Sequence, residues 1–172
     1  TLAAGVVTGA PIAGNSRLAS VAKSPLTGVI GDAQSGGFFP AEFKFAGFDA
    51  AVFHGKAAKP VYLWLKDGIA ELRPANHLWG KDTGEVEDIL KAELDDPKVQ
   101  ILQTGIAGEN GVRYAALISM LNRANGRTGM GAVMASKNVK AVVVRGKMRP
   151  ELADKKGLGA HAKWGATNFP DS

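Results

Sequence analysis

The sequence has no cysteine among its 172 residues and only three histidines. The missing cysteines exclude disulfides, zinc ribbons and iron-sulfur clusters held by this segment itself. His54, His77 and His161 stand singly, without a second histidine or a carboxylate at the spacing of helical metal ligands. We therefore interpret the three histidines as packing or surface residues. A metal bound here must be held through oxygen, nitrogen or a cofactor.

Long apolar segments and a signal sequence are also missing. No apolar run approaches the roughly 18 residues that a membrane span needs. The first residues lack the basic start of a signal peptide. We therefore predict a cytoplasmic protein without a membrane partner. Because the sequence does not begin with methionine and opens in a strand-like run, we expect it to be part of a longer parent chain.

The familiar nucleotide-binding motifs are absent as well. Gly126, Gly129 and Gly131 carry the G-x-G-x-x-G spacing in reverse order, and no glycine-lysine-serine/threonine run forms a Walker A loop. The net charge is +5, but the basic residues are spread along the chain and do not interleave with aromatics, so no nucleic-acid partner is expected. No serine lies in a nucleophile elbow, and the carboxylates between residues 85 and 93 resemble a solvated helix face. We predict no catalytic residue in this segment.

Strand-like segments outnumber helical ones. The pattern of apolar and turn residues predicts a short strand and a loop over 4–16, strands over 17–23, 29–35, 49–55, 60–66, 69–73, 98–104 and 139–146, and helices over 40–46 and 83–94. Residues 105–111 are expected to form a loop, and 112–119 either a strand or a short helix. Since strands and helices do not alternate regularly, the order favours an α+β fold of curved antiparallel or mixed β-sheets with few short helices over a doubly wound fold.

The composition changes after Pro150. Residues 151–162 are polar and partly helical, with interruptions at Gly157 and Gly159, and residues 164–172 show little periodicity. We therefore divide the chain into a domain of residues 1–148 and a segment of residues 149–172. The second segment is a linker or the start of a next domain.

Two glycine-rich segments have the character of anion-binding loops. In residues 123–138, three glycines fall within six residues and two arginines lie four apart. Gln34-Ser35-Gly36-Gly37-Phe38-Phe39 has similar glycine and polar character. Glycine amides and arginine forks bind phosphate groups, so the two segments together indicate one phosphate-bearing cofactor. The alternative is that Gly36 and Gly37 only form the turn between a strand and a helix.

Seven runs of residues resemble, in this order, the N-terminal domain of the aldehyde ferredoxin oxidoreductase family. They are Lys23-Ser24-Pro25-Leu26-Thr27-Gly28, Ser35-Gly36-Gly37-Phe38-Phe39, Phe45-Ala46-Gly47-Phe48-Asp49, Gly55-Lys56-Ala57-Ala58-Lys59-Pro60-Val61-Tyr62-Leu63, His77-Leu78-Trp79-Gly80-Lys81, Ala107-Gly108-Glu109-Asn110 and the run from Gly131 to Ala141. The resemblance covers residues 4–146.

The resemblance implies a saddle of two related sheets on which a bis-pyranopterin cofactor rests. Tungsten, less often molybdenum, is held in that family by the dithiolenes of the pterins, and magnesium bridges the two phosphates. The family oxidises aldehydes to carboxylic acids and passes electrons through an iron-sulfur cluster to ferredoxin. Its cluster cysteines and its acid/base residues lie in later domains, so this segment alone is expected to be inactive.

The resemblance also assigns cofactor-binding residues by motif. Arg17 matches an arginine that faces the pterin. Two loops match those that meet the phosphates and magnesium; they are Gln34, Ser35, Gly36 and Gly37 in the first, and Arg123, Ala124, Asn125, Gly126 and Arg127 in the second. The main chain of Gln34 and of Ala124 is expected to contact the magnesium. The family has asparagine in place of Gln34, a difference that leaves the backbone carbonyl of residue 34 available to magnesium. It has a small residue in place of Asn125, and we expect that difference to alter hydrogen bonding near the second phosphate.

The implied partners are an aldehyde substrate, ferredoxin or a similar electron acceptor, and the rest of the parent chain, with a homodimer among the allowed assemblies. The alternative from a different class is a non-catalytic module of the same fold that binds another phosphate-bearing ligand or a partner chain. A downstream C-x2-C-x3-C run with a distant fourth cysteine would favour the enzyme.

Overall fold

The computed structural model describes residues 1–169 and contains ten strands and five helices in that range. The strands are β1 Leu2–Ala4, β2 Leu18–Lys23, β3 Ile30–Ser35, β4 Ala50–Ala51, β5 Val61–Lys66, β6 Ile69–Pro74, β7 Gln100–Thr104, β8 Leu117–Ser119, β9 Arg123–Asn125 and β10 Val139–Arg145. The helices are α1 Phe39–Phe45, α2 Thr83–Glu93, α3 Ile106–Glu109, α4 Met130–Ser136 and α5 Lys155–Asn168.

The strands form two sheets. The first is antiparallel, with the order β3-β2-β1-β4. The second has the order β6-β5-β10-β7-β8-β9 and is antiparallel except for the parallel pair β5 and β10. The predicted α+β class, with two sheets and short helices, is confirmed. No helix within residues 1–169 is long and apolar enough to cross a membrane.

The second sheet is covered on both faces. Residues Val139–Val144 of its central strand β10 are all buried, as expected of a strand that packs on two sides. On one face, Leu65, Leu102 and Val142 share a core with Leu2 and Leu18 of the first sheet and with α1 and α4. On the other face, α2 packs Val86 and Leu90 against the sheet. Each fully buried Leu or Phe contributes about 1.5–3 kcal/mol, so the core on the first face holds the two sheets together and the core on the second holds α2 in place.

Local sequence signals explain the most regular elements. Asp67 and Gly68 adopt positive φ values of 47° and 85°, which give the tight turn of the predicted hairpin β5–β6. Asp82 accepts hydrogen bonds from the N–H groups of Gly84 and Glu85, and the Glu85 side chain accepts from the Asp82 N–H. This reciprocal capping box starts α2 where the sequence predicts it.

Several predicted boundaries are wrong. The predicted strand 49–55 is limited to Ala50–Ala51, and the carbonyl of Gly55 accepts a hydrogen bond from the Lys137 side chain and not from a strand. The predicted loop 105–111 contains α3, and the strand within 112–119 is limited to Leu117–Ser119. Gly108 suits α3 because a Cβ there would lie 2.0 Å from the Thr104 hydroxyl, so the helix packs closely on β7.

The glycine-rich stretch 123–138 and the C-terminal tail are more ordered than predicted. The stretch contains β9 and α4, and the tail forms α5 as far as Asn168 in spite of its three glycines. Asp154 starts α5 by accepting a hydrogen bond from the Gly157 N–H. The final part of the predicted aperiodic tail, residues 170–172, lies outside the described residues.

A buried ion pair joins three distant parts of the chain. The Lys140 ammonium, whose side chain is 0 % exposed, pairs with the Glu109 carboxylate, whose side chain is 4 % exposed. Lys140 also donates to the Lys81 carbonyl at 3.0 Å, and Glu109 accepts from the Gly80 N–H at 2.8 Å. The pair therefore connects β10, the end of α3 and the turn before α2.

Removing one partner of this pair should destabilise the fold strongly. Lys140→Met leaves the Glu109 carboxylate buried without a counter-charge, so we expect the free energy of unfolding to fall by about 3–5 kcal/mol. Lys91→Met is the matched control, because Lys91 pairs with Glu87 at a more exposed site. We expect the control to change stability by less than about 1 kcal/mol. Denaturant unfolding measures both, and equal losses would contradict the assignment.

A second prediction concerns alkaline pH. Tyr62 is 0 % exposed and donates its hydroxyl proton to Glu93 at 2.6 Å. Burial first, and then the Glu93 carboxylate, raise the pKa of Tyr62 from 10.0 to about 12. Because the folded state holds the phenol proton more tightly, the free energy of unfolding should be unaffected below pH 10 and should fall by about 2–3 kcal/mol between pH 10 and 12.

Denaturant unfolding across this pH range tests the assignment. In Tyr62→Phe, this decrease in the free energy of unfolding between pH 10 and 12 should be absent. Tyr114→Phe should keep it, because Tyr114 is 70 % exposed. An alkaline loss of the same size in both variants would show that Tyr62 is not its source.

Candidate functional site

The two sheets meet along two of their edge strands, β3 and β9. An edge strand has backbone N–H and C=O groups that no neighbouring strand satisfies. Side chains join the two sheets here, since Asn125 of β9 donates to the Ala33 carbonyl of β3 at 2.7 Å and to the Leu18 carbonyl of the inner strand β2 at 3.4 Å. The Ser35 hydroxyl of β3 donates to the Asn125 side-chain oxygen at 2.8 Å. We call the set Ser35, Asn125 and Ala33 the sheet junction.

The buried side chains of the sheet junction turn the neighbouring residues outward. In β3, Ala33 and Ser35 are buried, while Asp32 and Gln34 are exposed. In β9, Asn125 is 0 % exposed and its neighbours Arg123 and Ala124 face solvent. Because side chains alternate along a strand, burying Asn125 and Ser35 places Gln34 and Ala124 at the surface of the junction.

The first of two hollows at this surface has a volume of about 450 Å³. Its lining comes from both edge strands and comprises Asp32, Ala33, Gln34, Ala124, Gly126 and Arg127. We call it the Gln34 hollow. A Cβ on Gly126 would meet nothing closer than 3.6 Å, so the main chain is open to the hollow there.

The second hollow has a volume of about 300 Å³ and is lined by Gly14, Ser16, Arg17, Gly36, Gly37 and Arg123. We call it the Arg17 hollow. The Ser16 hydroxyl donates to the Gly37 carbonyl at 2.6 Å, which fixes the loop before β2 against the turn after β3. Arg17 and Arg123 reach this hollow from different sheets.

Three arginines give both hollows a positive character. Arg17, Arg123 and Arg127 are exposed, and within residues 1–169 none of them pairs with a carboxylate. Arg73 and Arg145, by contrast, are paired with acidic side chains. Unpaired guanidinium groups that share a concave surface are available to bind an anionic ligand through bidentate hydrogen bonds.

Asp32 supplies the one carboxylate among the residues that line these two hollows. Its Oδ2 accepts a hydrogen bond from the Gln34 amide at 3.2 Å. Within residues 1–169 no group of three or more His, Cys, Asp or Glu side chains could hold a metal ion. A metal bound at the junction would therefore need ligands from the main chain or from its own cofactor.

The structure brings all ten sequence-predicted site residues to the sheet junction or to the two hollows beside it. Eight of them line the two hollows; they are Arg17, Gln34, Gly36, Gly37, Arg123, Ala124, Gly126 and Arg127. The other two, Ser35 and Asn125, lie beneath the surface and bind each other. Their role in binding a ligand stays a prediction, but the Asn125 side chain serves the junction and not the hollows.

Two glycines of the stretch 123–138 have a packing role that the sequence analysis did not foresee. Gly129 has φ +77°, and a Cβ on it would lie 1.9 Å from the Arg113 carbonyl oxygen. The Gly131 N–H donates to the Ala115 carbonyl at 2.8 Å, and a Cβ there would lie 2.3 Å from the Ala116 carbonyl oxygen. These glycines let α4 pack against residues 113–116. Of the three glycines in the stretch, Gly126 alone lines one of the two hollows.

The sequence analysis missed four residues that line the hollows, Gly14, Ser16, Asp32 and Ala33. The position of Asp32 could have been found from the alternation of β3, because it lies two residues before Gln34 and so shares its face. Gly14 and Ser16 carry no comparable local signal. They reach the Arg17 hollow only because the loop before β2 folds against Gly37.

Breaking the sheet junction should weaken the fold. Asn125→Ala leaves the Ser35 hydroxyl and the Ala33 carbonyl buried without this partner, so we expect the free energy of unfolding to fall by about 1–3 kcal/mol. Asn122→Ala, at an exposed position three residues away, is the control and should change it by less than about 0.5 kcal/mol. Denaturant unfolding of Asn125→Ala, Ser35→Ala and the double variant should give less than additive losses. Additive losses would contradict a direct coupling.

The sequence is similar to the sequences of several known proteins. The chain is 52 % identical over 153 residues to the tungsten-containing aldehyde ferredoxin oxidoreductase of Pyrococcus abyssi, covering 89 % of this chain and 25 % of the relative. It is 50 % identical over 154 residues to the enzyme of the same name from Pyrococcus furiosus, covering 90 % and 26 %. A "WOR-like subunit" of an aliphatic sulfonate oxidoreductase from Pyrococcus furiosus is 38 % identical over 152 residues, covering 80 % and 24 %. The chain thus spans about a quarter of each relative.

A solved structure shares the fold. The active site complex BamBC of benzoyl coenzyme A reductase, in complex with 1,5 dienoyl-CoA, matches with a TM-score of 0.92 and 36 % sequence identity. The match covers 99 % of this chain and 26 % of that chain. The arrangement of two sheets and short helices therefore recurs in another large enzyme.

A family model completes the comparison. The model described as "Aldehyde ferredoxin oxidoreductase, N-terminal domain" matches residues 1–146, which contain both sheets and both hollows. Since the match extends over most of the chain and agrees with relatives at about half identity, the chain belongs to the aldehyde ferredoxin oxidoreductase family as its N-terminal domain.

Proposed function

We propose that the two hollows beside the sheet junction hold the phosphate end of a tungsten bis-pyranopterin cofactor in an oxidoreductase that converts aldehydes to carboxylic acids. The observation that carries the proposal is the set of three unpaired arginines, Arg17, Arg123 and Arg127, brought from both sheets to one open surface. Guanidinium forks and free main-chain groups are the donors that phosphate prefers in proteins.

The shape of the site fits a ligand with two phosphates. The Gln34 hollow contains Arg127, and the Arg17 hollow contains Arg17 and Arg123, so each hollow offers at least one guanidinium. Gln34 and Ala124 line the same hollow from opposite sheets. We assign their main-chain carbonyls to a magnesium ion that neutralises phosphate charge, since carbonyl oxygens suit this hard cation.

The cofactor would supply the redox chemistry at a metal held by its own dithiolene sulfurs. The described part of this chain contributes no catalytic side chain to that chemistry; it binds and orients the phosphate end. Tungsten is favoured over molybdenum by the names of the relatives that are 48–52 % identical.

Aldehydes are the proposed substrates because four relatives at 48–52 % identity carry that name, whereas the sulfonate and coenzyme A enzymes are 38 % and 36 % identical. The activity belongs to the full-length protein. We further propose that an iron-sulfur cluster, bound by residues outside this cysteine-free sequence, passes the electrons to ferredoxin or a similar acceptor.

The assembly is also part of the proposal. Residues 1–148 are assigned as the cofactor-binding domain, and residues 149–172 as a linker or the start of a next domain. Helix α5 has no buried residue in this structure, which agrees with a segment that packs on the rest of the parent chain. A cytoplasmic location and a homodimer complete the proposal.

The arginines provide its test. In the full-length protein, Arg17→Ala, Arg123→Ala and Arg127→Ala each remove a charged donor to phosphate, so cofactor affinity should fall by about 10- to 100-fold. Tungsten retained per protein after dialysis, measured by elemental analysis, reports the loss. Arg113→Ala is the control, because Arg113 is exposed but lines neither hollow.

Two results would oppose the proposal. Wild-type retention in all three variants would remove the phosphate assignment. A full-length protein that binds neither tungsten nor molybdenum and contains no iron would instead indicate a non-catalytic module, for which a salt-sensitive affinity for simple phosphate compounds is the expected signature.

A further inference from the structure

The tip of the hairpin between β8 and β9 lies beside the Arg17 hollow and has an unusual backbone. Met120 and Leu121 adopt consecutive left-handed conformations, with φ of +52° and +57°. Side chains of this size rarely adopt that conformation. Leu121 is 52 % exposed, so burial of its side chain does not explain the shape of the tip. The Asn122 N–H donates to the Ser119 carbonyl at 3.3 Å, so Met120 and Leu121 are the two central residues of the turn that closes the hairpin.

The Met120 thioether binds the turn that follows β3. Its Sδ accepts a hydrogen bond from the Phe38 N–H, with a nitrogen-to-sulfur distance of 3.1 Å. Gly37 has φ +96°, and a Cβ on it would lie 2.7 Å from that sulfur and 3.1 Å from the Arg123 Cγ. The thioether and the stem of Arg123, which lines the hollow, therefore both pack against the Gly37 main chain on the side where a side chain would stand.

This hydrogen bond crosses the sheet junction. Phe38 precedes α1 and follows β3, an edge strand of the first sheet, whereas Met120 directly follows β8 of the second. Phe38 is the N-cap residue of α1 and has no side-chain cap hydrogen bond. A side chain from the second sheet thus binds the backbone immediately before α1.

The molecule contains a natural control for this contact. Gly47 also has φ +96°, and a Cβ on it would lie 2.8 Å from the Met148 Sδ. A thioether therefore covers a left-handed glycine at each end of α1. Within residues 1–169 only the Met120 sulfur accepts a hydrogen bond across the two sheets, and Met148 lines neither hollow.

We propose that Met120 is a positioning residue for phosphate binding. By holding the Gly37–Phe38 main chain against Arg123, its thioether fixes the spacing between the two arginines of the Arg17 hollow, Arg17 and Arg123. The inference rests on the proposed function, because it assigns a role in the same site. It predicts that the sulfur acts through geometry and not through contact with the ligand.

The test uses the full-length protein without its cofactor. Met120→Leu keeps the side-chain volume but removes the sulfur acceptor, and Met148→Leu is the matched control. In Met120→Leu, exchange of the Phe38 amide hydrogen should speed up by about tenfold, and affinity for inorganic pyrophosphate, measured by calorimetry, should fall by about three- to tenfold. Met148→Leu should change neither quantity. The melting temperature of the two variants should be similar.

Each outcome separates Met120 from the site as a whole. Unchanged Phe38 exchange in Met120→Leu, or faster exchange with wild-type pyrophosphate affinity, would overturn the positioning role. Arg123→Ala is measured alongside. If Arg123→Ala binds pyrophosphate normally, the proposed phosphate site itself fails. If Arg123→Ala is defective while Met120→Leu is normal, only the inference about Met120 fails.

Discussion

The hydrogen-bonded contact between Asn125 and Ser35 is the constraint on which the site depends. It joins the free edges of two sheets, and its burial determines which neighbours face outward. Gln34 and Ala124 reach one surface because Asn125 and Ser35 occupy the inner positions of the alternating strands. The polar pair therefore stabilises the contact between the sheets and also gives the hollows their lining.

Some glycines and charged residues of the domain serve packing, and other charged residues are available to bind a ligand. Gly129 and Gly131 allow α4 to lie against neighbouring carbonyls, and the Lys140–Glu109 pair ties β10 to α3 at a site without solvent. By contrast, Arg17, Arg123 and Arg127 have no carboxylate partner in the described chain. A rigid scaffold that presents unpaired guanidinium groups needs no catalytic side chain of its own to anchor a phosphate-bearing cofactor.

Sequence reasoning predicted the fold class and the strongly patterned elements, because these depend on local signals. The Asp67-Gly68 turn, the capping box of α2 and the apolar run of β10 are examples. It failed where glycine had two opposite uses, as in α3 and α4, since a glycine that breaks helices also permits close packing. Ordered motifs pointed to the ten site residues. The placement of Met120 and Ser16 depends on tertiary contacts that no local pattern encodes.

The most direct test of the central claim is a crystal structure of the full-length protein with its cofactor, using anomalous scattering to place the metal. We expect two phosphate groups beside the sheet junction, one bound by Arg127 in the Gln34 hollow and one by Arg17 and Arg123 in the Arg17 hollow. We also expect that the metal is held by cofactor sulfur and not by side chains of residues 1–169. Phosphate groups bound elsewhere, with the three arginines exposed to solvent, would contradict the claim.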